Sequence, residues 1–281
     1  MSTLYIVATP IGNLADMTYR AVEVLQQVDG ILAEDTRHAK SLLQHYAITT
    51  PVQALHDHNE RQKADHIIAQ LQAGQSLALI SDAGTPLISD PGYVLVHAAR
   101  EAGVSVVPIP GACAVIAALS ASGLPTDQFS FRGFLPAKST ARVNMLETVK
   151  TAQETVLVYE STHRLLASLT DIQAVLGNER QLVLAKELTK QFEAFVVGNI
   201  ETIMQWLHED PARQKGEFVL LIAPNKTQAQ NQEVTVDIDT LLTALQDHVK
   251  PRPLAKVLAH LSGYDAQTLY AKICAAKKER P

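Results

Sequence analysis

The sequence predicts an α/β fold of two modest domains, and three observations support this prediction. Short apolar runs alternate with longer segments in which apolar residues recur at helical spacing. Turns containing glycine and proline follow several of the short runs. The chain has 281 residues, 47% of them apolar and 19% charged, which is typical of a globular protein with more than one domain. The alternation favours largely parallel strands connected by helices.

The individual elements follow from the length and period of each segment. Short runs rich in apolar residues predict strands at residues 4–8, 30–33, 77–81, 104–108, 155–159, 181–185 and 218–223. The intervening segments place apolar residues on one face of a helix, and they predict helices at 18–27, 60–73, 92–102, 142–149, 162–175 and 201–208.

Domain boundaries are predicted where this pattern is interrupted. A run of small residues followed by a Gly-Leu-Pro turn and a Phe-rich loop at 111–136 separates a first domain, 1–115, from a second, 116–227. The polar segment 225–233 is typical of a linker. Beyond it, residues 234–281 are predicted to form a small, basic helical extension with helices at 238–248, 254–261 and 265–277.

Charge and cysteine content narrow the class of protein. The net charge of −5 argues against non-specific coating of nucleic acid, although residues 250–281 carry seven Lys or Arg and only two Asp or Glu. Such a tail suits local phosphate contacts or a solvated helix end. The two cysteines, Cys113 and Cys274, are too few for a disulfide framework. With neither a signal-peptide pattern nor a run long enough to span a bilayer, a cytoplasmic protein without membrane attachment is expected.

Three Gly/Pro turns directly follow predicted strands and form the candidate site. They are ATPIGNL at 8–14, SDAGTPLISDPG at 81–92 and PIPGACA at 108–114. Loops that leave the carboxyl ends of parallel strands line the ligand crevice of such sheets, and small residues there allow close approach to the backbone. The sequence lacks both GxGxxG after the first strand and a P-loop, so neither of these nucleotide-binding motifs is present. The histidines of His56-Asp57-His58 have no third ligand at a familiar metal spacing, so no metal site is predicted.

Six blocks in order make a more specific prediction possible: VATPIGNL, EDTRH, SDAGTPLISDPG, PIPGACA, YESTHR and AKELTK. This series resembles the tetrapyrrole-methylase superfamily over about residues 3–223. The resemblance implies two α/β domains with S-adenosylmethionine in the cleft between them, and a homodimer. More narrowly, it resembles the branch that methylates the ribose 2′-hydroxyl of a cytidine in the decoding region of 16S ribosomal RNA, within the small subunit. DNA is not an expected partner.

The resemblance also implies cofactor contacts, which fall on the quoted blocks. Those in the first domain are Pro10, Asp82, Ala83, Gly84, Thr85, Cys113 and Ala114, and those in the second are Glu160 and Ala185. The porphyrin-modifying members have Gly-Asp-Pro where this chain has Gly84-Thr85-Pro86, and usually an apolar residue in place of Glu160. An acidic Glu160 in place of an apolar residue makes the cleft more polar and disfavours a flat apolar macrocycle as substrate.

A ribose hydroxyl has a very high pKa, so a base that removes its proton during attack would assist methyl transfer. The candidate bases are Asp35, Asp82, Glu160 and Glu187, whereas Lys186 is suited to lowering the pKa of the hydroxyl or to holding a phosphate. The catalytic residues predicted here are Asp35, Lys186 and Glu187. For Asp35 the alternative is an acidic residue at a helix N-terminus, paired within the helix. For Lys186 and Glu187 the alternative is a structural pair at the end of a strand, with the two side chains on opposite faces of the sheet.

RNA binding requires basic side chains near the cleft. The segment 128–146 has no acidic residue and interleaves its basic residues with three phenylalanines, which most simply pack a strand into a core. The predicted RNA contacts are Arg37, Arg132, Lys138, Arg142, Arg164 and Lys190. Two other functions remain open, a porphyrinoid methyltransferase and a non-catalytic ribosome-assembly factor that retains the fold.

Overall fold

The computed structural model describes residues 2–225, 241, 245, 248–262 and 264–278. The chain forms two compact units, Met1–Asn225 and Lys226–Pro281. Almost all of the predicted linker at 225–233, and most of the predicted helix at 238–248, lie outside the described residues. The proposed division at residue 115 falls inside the first unit and stays a prediction.

A five-stranded parallel sheet forms the first half of the large unit, in the order β3-β2-β4-β1-β5. Its apolar strands are buried between helices, as the continuous apolar runs require. The strands are β1 Thr3–Val7, β2 Gly30–Ala33, β3 Val52–Ala54, β4 Leu77–Ile80 and β5 Ser105–Ile109. The helices are α1 Tyr19–Gln27, α2 Thr36–His45, α3 Glu60–Gln72 and α4 Tyr93–Glu101, with a 3-10 helix at Leu14–Asp16.

A second sheet of five strands, in the order β6-β7-β10-β8-β9, forms the other half of the unit. Its strands are β6 Phe129–Phe134, β7 Thr155–Ser161, β8 Leu182–Lys186, β9 Ala194–Gly198 and β10 Glu217–Ile222. The accompanying helices are α5 Ala114–Ala121, α6 Ser139–Val149, α7 Leu165–Leu176 and α8 Ile200–Glu209, with a 3-10 helix at Pro211–Gln214.

The predicted fold class is confirmed, with one correction to strand direction. In the second sheet only β6 and β7 are parallel, whereas β10 runs antiparallel to both β7 and β8, and β9 antiparallel to β8. Strand direction depends on distant pairing, which the local apolar pattern does not report. The apolar pattern also missed β3, β9 and α5, whereas β6 agrees with the strand favoured for the phenylalanines and α2 with the helix N-terminus offered as the alternative for Asp35. Of the phenylalanines, Phe131 packs against the core, whereas Phe129 and Phe134 are 43% and 53% exposed.

Helix α5 holds the two halves of the large unit together. Its Val115, Ala118 and Leu119 join one apolar cluster with Leu157 and Val219 of the second sheet. Ile11, from the loop after β1, belongs to the same cluster. Because α5 begins directly after the third Gly/Pro loop, this packing brings the loops of the first half against the second sheet.

The small unit contains two described helices, α9 Pro251–Ser262 and α10 Ala266–Lys278. They pack through Leu254, Leu258, Leu269 and Ile273, which are buried. The predicted helices at 254–261 and 265–277 correspond to these two. Among the described residues, no helix has the length and apolar character needed to cross a membrane.

Candidate active site

A cavity of about 570 Å³ lies where the carboxyl ends of the first sheet meet the second sheet. Strands β4, β1 and β5 are neighbours in the parallel sheet, so the three Gly/Pro loops emerge side by side at one edge. The antiparallel β10 begins at the edge where β7 and β8 end, so Gly216–Val219 face the same space. The volume lies within the range of small-molecule and cofactor sites.

Hydrogen bonds between neighbouring loops fix the floor of the cavity. The Thr9 and Gly84 backbones exchange two hydrogen bonds of 2.9 and 3.0 Å. The Thr85 hydroxyl donates to the Ala112 carbonyl at 3.0 Å. Gly84 has φ +81°, and a Cβ there would lie 3.3 Å from Ile11 Cγ2, so glycine satisfies both the backbone conformation and the available space.

Glu160 closes the wall formed by the second sheet. Its carboxylate accepts hydrogen bonds from the Ser161 amide at 2.7 Å, from Arg164 Nε at 3.1 Å and from the Ser168 hydroxyl. The side chain is fully buried, and Arg164 also forms an ion pair with it at 3.0 Å. A buried carboxylate with this many donors is held firmly in place, so Glu160 orients the wall of the cavity.

Carboxylates surround the part of the cavity nearest β2 and β4. Glu34, Asp82 and Asp90 all line it. Burial raises the pKa of Asp90 to about 6, and the negative charges of Asp82 and Asp57 act in the same direction. A hydrogen bond from Ser81 opposes this rise. Burial and the Asp82 charge also raise the pKa of Glu34. The cavity is therefore suited to a ligand that carries positive charge.

Most of the predicted cofactor residues come together in this cavity. Lining side chains or backbone are contributed by Asp82, Ala83, Gly84, Thr85, Cys113, Ala114 and Glu160. Pro10 lies outside the lining, buried next to Ile11, which is in it. Ala185 is also outside and fully buried in the apolar cluster beneath the wall.

The three predicted catalytic residues lie around the cavity rather than in its lining. Asp35 is the N-cap of α2 and pairs with Arg37 at 2.6 Å; hydrogen bonds from Arg37 hold the pKa of this carboxyl below its usual range. Burial by itself would raise the pKa of Glu187, but hydrogen bonds from the Glu217 amide and Lys190 outweigh it, so the pKa is lowered. Lys186 is buried, with Phe218 between it and Glu160 in the strand register. Low-pKa carboxylates are weak bases, so these positions suit structural roles better.

The predicted RNA contacts are mostly engaged within the protein. Arg37, Arg132, Arg164 and Lys190 each form an ion pair with a carboxylate. Arg142 is 3% exposed, pairs with Asp171 at 2.6 Å and donates to the Pro136 and Ala137 carbonyls. Because this guanidinium is buried and its donors are directed at Asp171 and two carbonyls, a phosphate cannot reach it, and Arg142 is not among the proposed RNA contacts. Lys138 immediately precedes α6.

Several lining residues were not singled out from the sequence. Asp90 belongs to the quoted SDAGTPLISDPG block, so its position at the end of the loop was an available signal. Tyr159 lines the cavity from β7 and makes edge contacts with Phe131 and Phe134. Glu217 enters because β10 is antiparallel, which the apolar pattern could not indicate. In the described part of the chain, no cluster of three His, Cys, Asp or Glu side chains could hold a metal ion.

Comparison with known proteins defines the family. Residues 3–204 match the family described as Tetrapyrrole (Corrin/Porphyrin) Methylases. Among solved structures, uroporphyrin-III-C-methyltransferase from Thermus thermophilus matches with a TM-score of 0.55 at 19% identity, covering 79% of this chain and 94% of that one. Diphthine synthase matches with a TM-score of 0.61 at 14% identity, covering 79% and 90%. The chain therefore belongs to the tetrapyrrole methylase family, whose members are methyltransferases and require a methyl donor.

Sequence relatives place the chain more narrowly. A protein of Haemophilus influenzae named ribosomal RNA small subunit methyltransferase I is 52% identical over 267 residues, covering 95% of this chain and 94% of the relative. A protein of the same name from Synechocystis is 55% identical over 223 residues, covering 79% of each chain. Within the tetrapyrrole methylases, this chain falls in the group that carries that name.

Proposed function

We propose that this protein transfers the methyl group of S-adenosylmethionine to the 2′-hydroxyl of a cytidine ribose in the decoding region of 16S ribosomal RNA. The observation that carries the proposal is the cavity: three pinned loops and the second sheet enclose about 570 Å³ lined by several carboxylates. Relatives that match almost the whole chain are named as methyltransferases of small-subunit ribosomal RNA.

The cavity residues fit S-adenosylmethionine on chemical grounds. Glu34, Asp82 and Asp90 provide the negative environment that favours a sulfonium cation. Ile11, Leu188 and Val219 provide apolar surface on which the adenine ring can pack. Gly84 and Ala83 leave room for a ligand at the loop backbone. When bound, S-adenosylmethionine supplies a methyl group that is already activated on sulfur.

The protein's contribution is alignment and proton removal. Loops that are hydrogen-bonded to one another hold their side chains in a fixed arrangement, which favours in-line placement of an acceptor hydroxyl. A carboxyl group with a pKa of about 6 is ionised at neutral pH and still accepts a proton readily. We therefore propose Asp90 as the general base for the ribose hydroxyl, in place of Asp35 or Glu187.

The acceptor is proposed to be RNA rather than a macrocycle because the cavity is polar. Asp82, Thr85, Asp90 and Glu217 place charged or hydrogen-bonding groups in its lining. A flat porphyrinoid would bury these groups without partners, which is costly. The likeness to uroporphyrin-III-C-methyltransferase concerns the fold and carries no information on the acceptor.

Labelled S-adenosylmethionine provides the direct test. Small ribosomal subunits from a strain that lacks this methyltransferase are expected to gain one label per subunit, on a cytidine ribose. Subunits from the parent strain, which are already methylated, serve as the control. Labelling of a porphyrinoid while the subunits remain unlabelled would overturn the proposal, and failure to bind S-adenosylmethionine in calorimetry would instead favour a non-catalytic assembly factor.

Two further properties belong to the same proposal. We expect a homodimer, supported by the family resemblance, which light scattering on the purified protein can measure. We also expect the protein to act in the cytoplasm, where small ribosomal subunits are found; cell fractionation with an antibody against the chain checks this.

A further inference from the structure

We infer that the exposed basic face of helices α9 and α10 binds the sugar-phosphate backbone of RNA. The inference rests on the proposed function and extends it, because it assigns the contact to a unit of the protein that lies outside the catalytic fold. The relevant face carries Arg252 and Lys256 on α9, and Tyr270 on α10.

The small unit has an apolar core of its own, so the unit does not depend on its cationic side chains in order to fold. Leu254, Leu258, Leu269 and Ile273 are each at most 4% exposed. Asp265 precedes α10 and accepts hydrogen bonds from the Thr268 amide at 2.9 Å and from the Thr268 hydroxyl at 3.0 Å. This capping carboxylate is the only acidic residue between positions 250 and 278.

The cations of α9 are available to an outside partner. Arg252 and Lys256 are exposed and four residues apart, which places them on the same side of the helix. The Arg252 guanidinium lies 6.0 Å from the centre of the Tyr270 ring. Neither cation forms an ion pair with any residue that the structure describes. Arginine and lysine beside an exposed aromatic ring are typical of surfaces that bind phosphates and stack on bases.

In the large unit, most of the side chains predicted to bind RNA are already paired with carboxylates, whereas Lys138 is exposed. Four of its six predicted RNA-binding side chains, Arg37, Arg132, Arg164 and Lys190, are paired with carboxylates, and Arg142 is buried. Residues 1–249 contain 17 basic and 27 acidic residues, whereas 250–281 contain seven and two. An RNA backbone is therefore repelled by much of the large unit and attracted to the small one.

The known proteins differ in how much of this chain they match. The structures of uroporphyrin-III-C-methyltransferase and diphthine synthase cover 79% of this chain, close to the share formed by its first 225 residues. The Haemophilus influenzae relative matches over 267 residues, more than the first unit contains, so the match must extend into the second. Two family members that are named for other substrates thus match a length no greater than that of the large unit. The Haemophilus influenzae relative, which is named for ribosomal RNA, matches residues of both units.

The Synechocystis relative limits what is expected to be shared. It matches over 79% of each chain, so about a fifth of each sequence lies outside the match. Phosphate contacts require positive charge at the surface but no particular order of residues. The inference therefore concerns the charge of the helical unit in this protein, and the test is made on its own side chains.

The full-length double variant Arg252→Gln/Lys256→Gln tests the inference. Its binding to a 16S rRNA transcript and to an unrelated transcript of equal length is measured over a range of salt concentrations. We expect affinity to fall on the order of 10-fold for both RNAs, and the slope of log K against log salt to decrease by about 1 to 2. Binding of S-adenosylmethionine is expected to be unchanged.

Two further variants make the result interpretable. Arg100→Gln/Lys150→Gln removes the same two charges from the carboxyl-terminal ends of α4 and α6, and is expected to retain the affinity and the salt slope. The charge-conserving Arg252→Lys/Lys256→Arg is expected to restore most of the binding. Circular dichroism melts report whether α9 and α10 remain folded in each variant.

Unchanged RNA binding by the Arg252→Gln/Lys256→Gln protein would overturn the inference. So would a loss of binding to small subunits with unchanged binding to both transcripts, which would indicate a protein partner for this surface. Failure of the proposed function is distinguishable, because wild-type protein would then bind both transcripts more tightly than the double variant and with a steeper salt dependence, yet methylate no subunit.

Discussion

The carboxyl group of Asp90 carries the proposed proton transfer, and its surroundings determine how it behaves. We expect Asp90→Asn to lower the rate of methyl transfer about 10²- to 10⁴-fold, because an amide cannot accept the proton. S-adenosylmethionine affinity, measured by calorimetry, should change much less than the rate. Asp127→Asn removes an exposed carboxylate elsewhere and should leave the rate unchanged. A rate equal to that of the wild type in the Asp90 variant would remove Asp90 from the mechanism.

The same group makes stability depend on pH. The folded pKa of Asp90, about 6, lies above the ordinary value of 3.8, so the folded state holds this proton more tightly than the unfolded state. Ionised Asp90 therefore reduces stability above pH 6, and this cost disappears as pH falls towards 3.8. After allowance for partial exposure, Asp90→Asn should raise the free energy of unfolding by about 1 kcal/mol at pH 8. Urea unfolding at several pH values should show this gain narrowing below pH 6.

Arg142 is a residue whose structural role became clear only from its burial. Replacing it with glutamine removes the cation from the half-buried Asp171 carboxylate, which keeps the hydrogen bond from Ser139. This change should lower the free energy of unfolding by about 3 kcal/mol. Arg132→Gln is the matched control, because Arg132 pairs with Glu154 at 3.7 Å near the surface, and it should cost less than about 1 kcal/mol. Urea unfolding of both variants measures the difference; similar values would contradict the structural role.

At the scale of elements, the loop after β4 combines backbone strain with a place in the cavity. Gly84→Ala places a Cβ 3.3 Å from Ile11 at φ +81°, so it should cost about 1–2 kcal/mol and also weaken S-adenosylmethionine binding. Gly103→Ala is the matched control: φ is +72° and a Cβ would meet nothing within 4 Å. It should lose similar stability with unchanged cofactor affinity in calorimetry. Equal affinities in both variants would show that the loop backbone does not shape the cofactor site.

For the whole molecule, the two units carry separate apolar cores. Ile273 is fully buried among residues of the small unit, and Leu220 among residues of the second sheet. We expect Ile273→Ala to cost about 2–5 kcal/mol and to lower hydrogen-exchange protection in α9 and α10. Leu220→Ala should instead lower protection within residues 1–225. Loss of protection across the whole chain in both variants would show that the molecule unfolds as a single unit.

The amino-acid sequence was sufficient to predict the α/β class, most helices, the central strands and the three loops that meet in the cavity. These features follow from local regularities: the apolar period within each element, and glycine and proline directly after strands. Because β4, β1 and β5 are neighbours in a parallel sheet, three loops that are far apart in the sequence form one site.

The direction of the strands in the second sheet and the burial of individual charges became known from the three-dimensional structure alone. Antiparallel β10 brings Glu217 to the cavity, burial and then the charges of Asp82 and Asp57 raise the pKa of Asp90, and Asp171 pairs with Arg142. Each of these results depends on the folded chain, because both burial and Coulomb interactions depend on distance in space. The sequence shows that Asp90, Arg142 and Glu217 are charged residues, but it does not show the partners that determine their ionisation and their exposure to solvent.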